Sequence, residues 1–178
     1  MGHLPISLDL RALSIAEGVR AALAVAVLVA ANELLHLPAL NEAALAALLT
    51  CLCDAGGPVR RRVPALLAFA VLGGLLTVGF GLLRPAGLPI VVPLACLVIF
   101  CASFARVWGQ SALQVGNLLT VVTVLALDRG EDLHGAEVLG LAFLGGSLWA
   151  LVLTMLIWRL HPYRPARRAV ADVYRRLG

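Results

Sequence analysis

The sequence predicts an all-α, polytopic membrane protein with six transmembrane helices and both termini on the cytoplasmic side. Three observations carry this. Hydrophobic residues make up 61% of the chain and charged ones only 13%, where soluble domains carry about a quarter charged. Apolar runs close to the ~20 residues needed to cross a bilayer core recur along the chain, separated by short turns rich in Gly, Pro and Arg. All 14 basic residues are arginine, and six crossings sort them unevenly. Arg11, Arg20, Arg60, Arg61, Arg62, Arg106, Arg159, Arg164, Arg167, Arg168, Arg175 and Arg176 fall on the side of the termini, against Arg84 and Arg129 on the other. Positive charge collects in cytoplasmic loops, which sets the direction of every span.

Residues 1–14 read as a cytoplasmic lead-in. Its mixture of His3, Pro5 and Asp9 with apolar residues, followed by a long apolar run, does not fit a cleavable signal peptide. The transmembrane domain covers 15–160. The first helix is expected over 15–37, with Glu17 and Arg20 one turn apart as a local ion pair and Ala22, Ala26 and Ala30 as a flat stripe for close helix contact. Asn32, Glu33 and His36 mark its far end and Pro38 closes it. The second helix, 39–53, is short for a full span. Asp54-Ala-Gly-Gly-Pro-Val-Arg-Arg-Arg62 forms the turn into the third, because glycine and proline punctuate helices and three guanidinium groups cannot enter hydrocarbon cheaply. The third helix, 60–83, carries Pro64 in its first turn, where a missing N–H costs little, and an Ala70/Gly74 small-residue pair.

Arg84-Pro85-Ala-Gly-Leu-Pro89 is the next turn. The fourth helix, 88–104, contains Pro93, a candidate kink. Arg106-Val-Trp-Gly109 follows, with Trp108 as an interfacial aromatic. The fifth helix spans 109–127, the polar stretch 128–132 forms a loop, and the sixth helix runs over 135–159 with Ala142, Gly146 and Ala150 as a second small-residue stripe. Residues 161–178 form a basic amphipathic cytoplasmic tail, with Val170, Val173, Tyr174 and Leu177 at helical spacing. The tail reads as the entry to a soluble domain.

A pI near 9.3 could point to nucleic acid, but most of the arginines flank apolar runs, where anionic lipid headgroups are the natural partner. Cys51, Cys53, Cys96 and Cys101 all lie in apolar runs and read as buried small hydrophobes rather than a disulfide framework. Cys51-x-Cys53 lacks the second ligand pair of a zinc site, so no metal or other cofactor is expected. The chain has no His-Glu-x-x-His helix, nucleophile elbow or phosphate loop, and no enzymatic activity is expected.

The order of motifs resembles the membrane half of the fusaric acid resistance family, also called aromatic acid exporters. The resemblance rests on Arg20 entering the first helix, Pro38 before the second, and Thr50-Cys-Leu-Cys-Asp-Ala-Gly-Gly-Pro58 at its end. It continues through Arg61-Arg62 leading to Leu72-Gly-Gly74, Phe104-Ala-Arg-Val-Trp-Gly109, and the exit Trp158-Arg-Leu-His-Pro-Tyr-Arg-Pro165. It covers about residues 11–176. It implies a multi-pass protein of the bacterial inner membrane that exports organic anions such as aromatic carboxylates, with a soluble cytoplasmic domain after the sixth span. The competing expectation is a membrane scaffold that docks a cytoplasmic partner.

The candidate substrate path follows from polarity within the spans. Gln110, Gln114 and Asn117 lie at i, i+4 and i+7 on one arc of about 60°, as a pathway wall or as interhelical hydrogen-bond donors. Arg20 and Arg106, near the cytoplasmic helix ends, either snorkel to the interface or offer a carboxylate their planar forks. Asp54 either caps its turn or pairs with Arg60–Arg62, or else couples protons; Glu33 is a second candidate for proton coupling. Gly56, Gly57 and Pro58 are a candidate hinge. The small-residue stripes predict a homo-oligomer, with a dimer favoured. The expected partners are therefore the lipid bilayer, a small organic anion and further copies of the chain.

Overall fold

The structure is a computed structural model that describes residues 15–54, 59–128, 130 and 132–160. Among the described residues six α-helices follow one another: α1 (Ile15–Leu35), α2 (Ala39–Cys53), α3 (Val59–Leu83), α4 (Leu88–Phe104), α5 (Gln110–Leu127) and α6 (Leu133–Leu160), with 3₁₀ turns at Arg84–Ala86 and Ala105–Trp108. Five of them are long and apolar enough to cross a bilayer, and α2 is a shorter apolar helix. At ~1.5 Å per residue α2 reaches only about 22 Å. The protein is thus an all-α polytopic membrane protein. The lead-in, the tail and the Gly56-Gly57-Pro58 hinge candidate lie outside the described residues.

The helix ends follow local chemistry. α1 stops at Leu35 rather than at Leu37, because His36 takes a left-handed backbone (φ 52°), a known way to end a helix. α6 starts two residues before its expected position. The Asp132 side chain accepts the backbone N–H of Gly135 at 2.9 Å, an N-cap that satisfies one orphan donor of the first turn. α3 begins at Val59, so Pro64 sits beyond the first turn and removes one internal hydrogen bond. Gly87 and Gly109 stand at φ +94° and +105° ahead of α4 and α5, a conformation that side chains with a Cβ resist.

The helices stack in layers. α2, α3, α5 and α6 build the central core, where Phe69 and Phe143 meet with ring centroids 5.8 Å apart among Leu49, Leu66 and Leu119. α1 lies outside, packed on α2 and α6 through Ala24, Ala47 and Ala150. α4 lies on the opposite flank, packed on α5 and touching α3 only weakly. Close approach depends on small residues, as expected where helix association runs on packing rather than water exclusion. A Cβ on Gly146 would land on the Ala43 carbonyl of α2, one on Gly116 on the Ala102 carbonyl of α4, and one on Gly73 on the Phe143 ring. The Ala142–Gly146–Ala150 and Ala70–Gly74 stripes are therefore used inside the chain. The Ala22–Ala26–Ala30 stripe is exposed on the outside of α1.

Polar side chains within the spans are mostly satisfied by their own helix. Thr50, Thr77, Thr123 and Thr154 each donate to the carbonyl four residues earlier, at 2.7–3.0 Å. Trp149 Nε1 donates across to the Ala24 carbonyl at 3.3 Å, tying α6 to α1. Cys51 and Cys53 are buried as expected, but Cys96 and Cys101 are exposed on α4; all four are free thiols.

Candidate functional site

Three helix ends meet around one carboxylate. Asp54 is the C-cap of α2, with extended backbone. Arg62 stands in the first turn of α3 and Arg20 in the second turn of α1. Arg62 grips Asp54 with a fork: Nε donates to Oδ1 at 2.7 Å and Nη2 donates to Oδ2. Arg20 Nη1 donates to Oδ2 at 3.0 Å, and its Nη2 donates to the Cys51 carbonyl at 3.5 Å. The three side chains are only 3–8% exposed. Bidentate arginine–carboxylate pairs are among the strongest hydrogen-bonded contacts.

Helix electrostatics explain why the three groups need one another. A carboxylate at the C-terminus of α2 faces the negative end of that helix's dipole, Arg62 lies at the positive end of α3, and Arg20, a turn further into α1, is a buried cation that needs a counter-charge. Each is unfavourable alone, and each relieves the next. The two arms are unequal. Among the described residues, Arg20 binds the carboxylate through a single N–H, and its Nε is buried without a hydrogen-bond partner. The space beside Asp54 and Arg62, bounded also by Cys53, Ala65, Leu66 and Ser111, has no room for a water-sized molecule. The cluster is closed.

Its inward placement is readable as phase. Arg62, Leu66, Phe69, Gly73 and Thr77 are all buried, and their four- and three-residue steps trace one helix face. Arg60, two positions earlier, is exposed. Arg20 shares its face with Ala24 and Leu28 in the same way.

The other expected site residues scatter. Glu17 is exposed, and Arg20 forms its ion pair with Asp54 rather than with this neighbour. Arg106 is exposed on its 3₁₀ turn, as is Trp108. Gln110 is exposed, Gln114 is half-buried with Oε1 lacking a partner, and Asn117 is exposed at mid-helix. Gln110 and Asn117 thus lie on the surface of α5 and Gln114 partly inside it. Arg20 does not approach them, since α1 packs on α2 and α6 whereas α5 packs on α3 and α4. Glu33 is exposed. Asp54 pairs with both Arg62 and Arg20.

One acid was not singled out. Glu42 is buried in α2 and helps wall a central cavity of ≈ 10 Å³ with Thr77, Leu139 and Phe143, room for about one water. Its phase with Ala46, Leu49 and Cys53 on the inner face of α2 was the available signal. Beyond this small space lies a lateral cleft of ≈ 1120 Å³ between α3, α4 and α5. Ala65 and Ser111 wall both the cleft and the pocket beside Asp54.

Fold and site together define a polytopic α-helical membrane protein with a buried interhelical arginine–aspartate cluster. The chain is 28% identical over 134 residues to an uncharacterized protein of Synechocystis. That match covers 75% of this chain but 17% of the relative, so the chain spans about a sixth of the relative's length. No family model matches the chain, and no solved structure matches it.

Proposed function

We propose that the protein passes organic anions, such as aromatic carboxylates, across the bacterial inner membrane, with the Arg20–Asp54–Arg62 cluster as its anion-binding element. The observation that carries this is Arg20. It is buried, it holds Asp54 through one N–H, and its Nε has no hydrogen-bond partner among the described residues. A substrate carboxylate competes for this arginine by offering it two oxygens, the geometry a guanidinium fork binds best. Arg62, held by its own fork, keeps Asp54 in place during the exchange. Because the cluster is closed, entry requires the adjoining ends of α1, α2 and α3 to part. The motif order resembling aromatic acid exporters supports the same substrate class and an outward direction.

The uneven arginine distribution supports cytoplasmic termini. Reporters fused after Gly178 should read cytoplasmic and those after Gly130 periplasmic, and the opposite pattern would invert the model. Two features support a homo-oligomer: the exposed Ala22–Ala26–Ala30 stripe, and Asn117, a polar side chain left outward at mid-span where lipid contact is costly. Mass measurement in nanodiscs should find more than one copy; a lone chain that still transports would remove this part of the proposal.

A second reading, a non-transporting scaffold, is favoured by the tight interior, whose central cavity is only ≈ 10 Å³. Flux in proteoliposomes separates the two. Purified protein should raise the uptake of a labelled aromatic carboxylate well above that of empty liposomes, in a saturable manner. Uptake equal to the empty control, with the protein folded, supports the scaffold.

A further inference from the structure

We infer that the lateral cleft between α3, α4 and α5 is a binding groove for an anionic phospholipid of the arginine-rich leaflet. This goes beyond anion passage and stands independently of it. The cleft exists because α4 is carried on α5 and touches α3 only weakly. It has a volume of ≈ 1120 Å³ and is mostly apolar. An apolar opening of this size facing a bilayer fills with hydrocarbon chains, so the question is whether its mouth selects a headgroup.

The polar residues of the lining sit at one end. Arg60, Trp108, Gln110 and Ser111 mark the arginine-rich end, while Leu75 and Leu97 line the far part. Arg60 and Trp108 are exposed there, a cation and an indole at the depth where headgroups lie. The first turn of α5 also faces the cleft, from Gly109 through Ala112. The first-turn amide N–H groups of Gln110, Ser111 and Ala112, which an α-helix leaves without an intrahelical acceptor, and the positive end of the dipole favour a phosphate. Among the described residues, no acidic one lines the cleft. From Gln110 to Leu119 the α5 wall rises about 14 Å at ~1.5 Å per residue, close to one leaflet of a ~30 Å core. One acyl chain thus runs from mouth to mid-plane while its phosphate meets Arg60 and the start of α5. Basic pockets between spans recognise anionic headgroups in this way.

The experiment uses the whole protein in nanodiscs made with lipids brominated on their acyl chains. Bromine quenches nearby indoles, and the signal of Trp108 is isolated by subtracting a Trp108→Phe variant. Brominated phosphatidylglycerol should compete for the site about fivefold better than brominated phosphatidylcholine. Arg60→Gln, at an exposed position, should bring that preference close to one. Ala68→Phe, which fills the cleft from α3, should reduce quenching by both lipids. Equal competition by the two lipids in the parent would make the cleft an ordinary lipid-facing surface and overturn the proposal. Trp108 shielded from both lipids would also overturn it, by placing a second copy of the chain over the cleft.

Discussion

Asp54→Ala is expected to prevent the bundle from assembling. The substitution leaves the Arg20 and Arg62 guanidinium groups facing each other at sites where the parent side chains are 8% and 3% exposed. Removing one partner of a buried ion pair costs about 3–5 kcal/mol, a large share of the ~5–15 kcal/mol by which folded domains are stable. Asp54→Asn should do nearly as badly, since it keeps the shape but not the charge. Replacing all three groups together (Arg20→Met, Asp54→Leu, Arg62→Met) should recover much of the lost stability, because a buried charged cluster contributes little net energy over an apolar one. Thermal unfolding in detergent checks this. A triple variant no more stable than Asp54→Ala would show that the cluster is not an electrostatic unit, and an Asp54→Ala protein as stable as the parent would show that the ion pairs are dispensable.

The second large effect concerns two adjacent glycines that should behave oppositely. A Cβ on Gly146 would overlap the Ala43 backbone, whereas Gly145 has nothing within 4 Å. α2 and α6 form the most extensive helix pair of the bundle, and backbone cannot move aside as a side-chain tip can. Gly146→Ala should therefore destabilise by about 1–3 kcal/mol or more, the range seen for overpacked cores, and Gly146→Leu should not assemble. Gly145→Ala should be neutral or stabilise by up to ~1 kcal/mol, because alanine is the better helix former. Unfolding of the two alanine variants side by side decides the matter; equal effects would mean that α6 does not seat on α2 through Gly146.

Much of the fold was legible because a span announces itself by length and apolarity. α2 and α4 start and stop where expected, as do the start of α1 and the ends of α3 and α5, and the remaining ends differ by one or two residues for reasons such as the Asp132 cap and the left-handed His36. The facing of the helices was much less legible. In water, an apolar stripe marks the buried side, but in lipid both sides of a span are apolar, so Ala22–Ala26–Ala30 and Ala142–Gly146–Ala150 look alike in sequence. One faces outward and the other seats on α2. The same ambiguity applies to the polar arc on α5, where Asn117 is exposed and Gln114 half-buried. The Asp54–Arg62 pairing was within reach because eight residues separate the partners across a tight turn. Arg20 joins from 34 residues away, and nothing local distinguishes it from a snorkelling arginine. Its phase with Ala24 was the available clue.

The role given to Arg20 is tested most directly by measuring carboxylate flux for Arg20→Lys beside its thermal stability. Lysine keeps the charge and can still pair with Asp54, so the bundle should unfold near the parent temperature. It has no planar fork for a second oxygen, and a charge-assisted hydrogen bond contributes roughly 1.5–3 kcal/mol. The account predicts a KM for an aromatic carboxylate raised about tenfold or more, with the folded protein retained. A folded Arg20→Lys protein that transports with the parent's KM would contradict it, and would leave the arginine–aspartate cluster as a structural clamp alone.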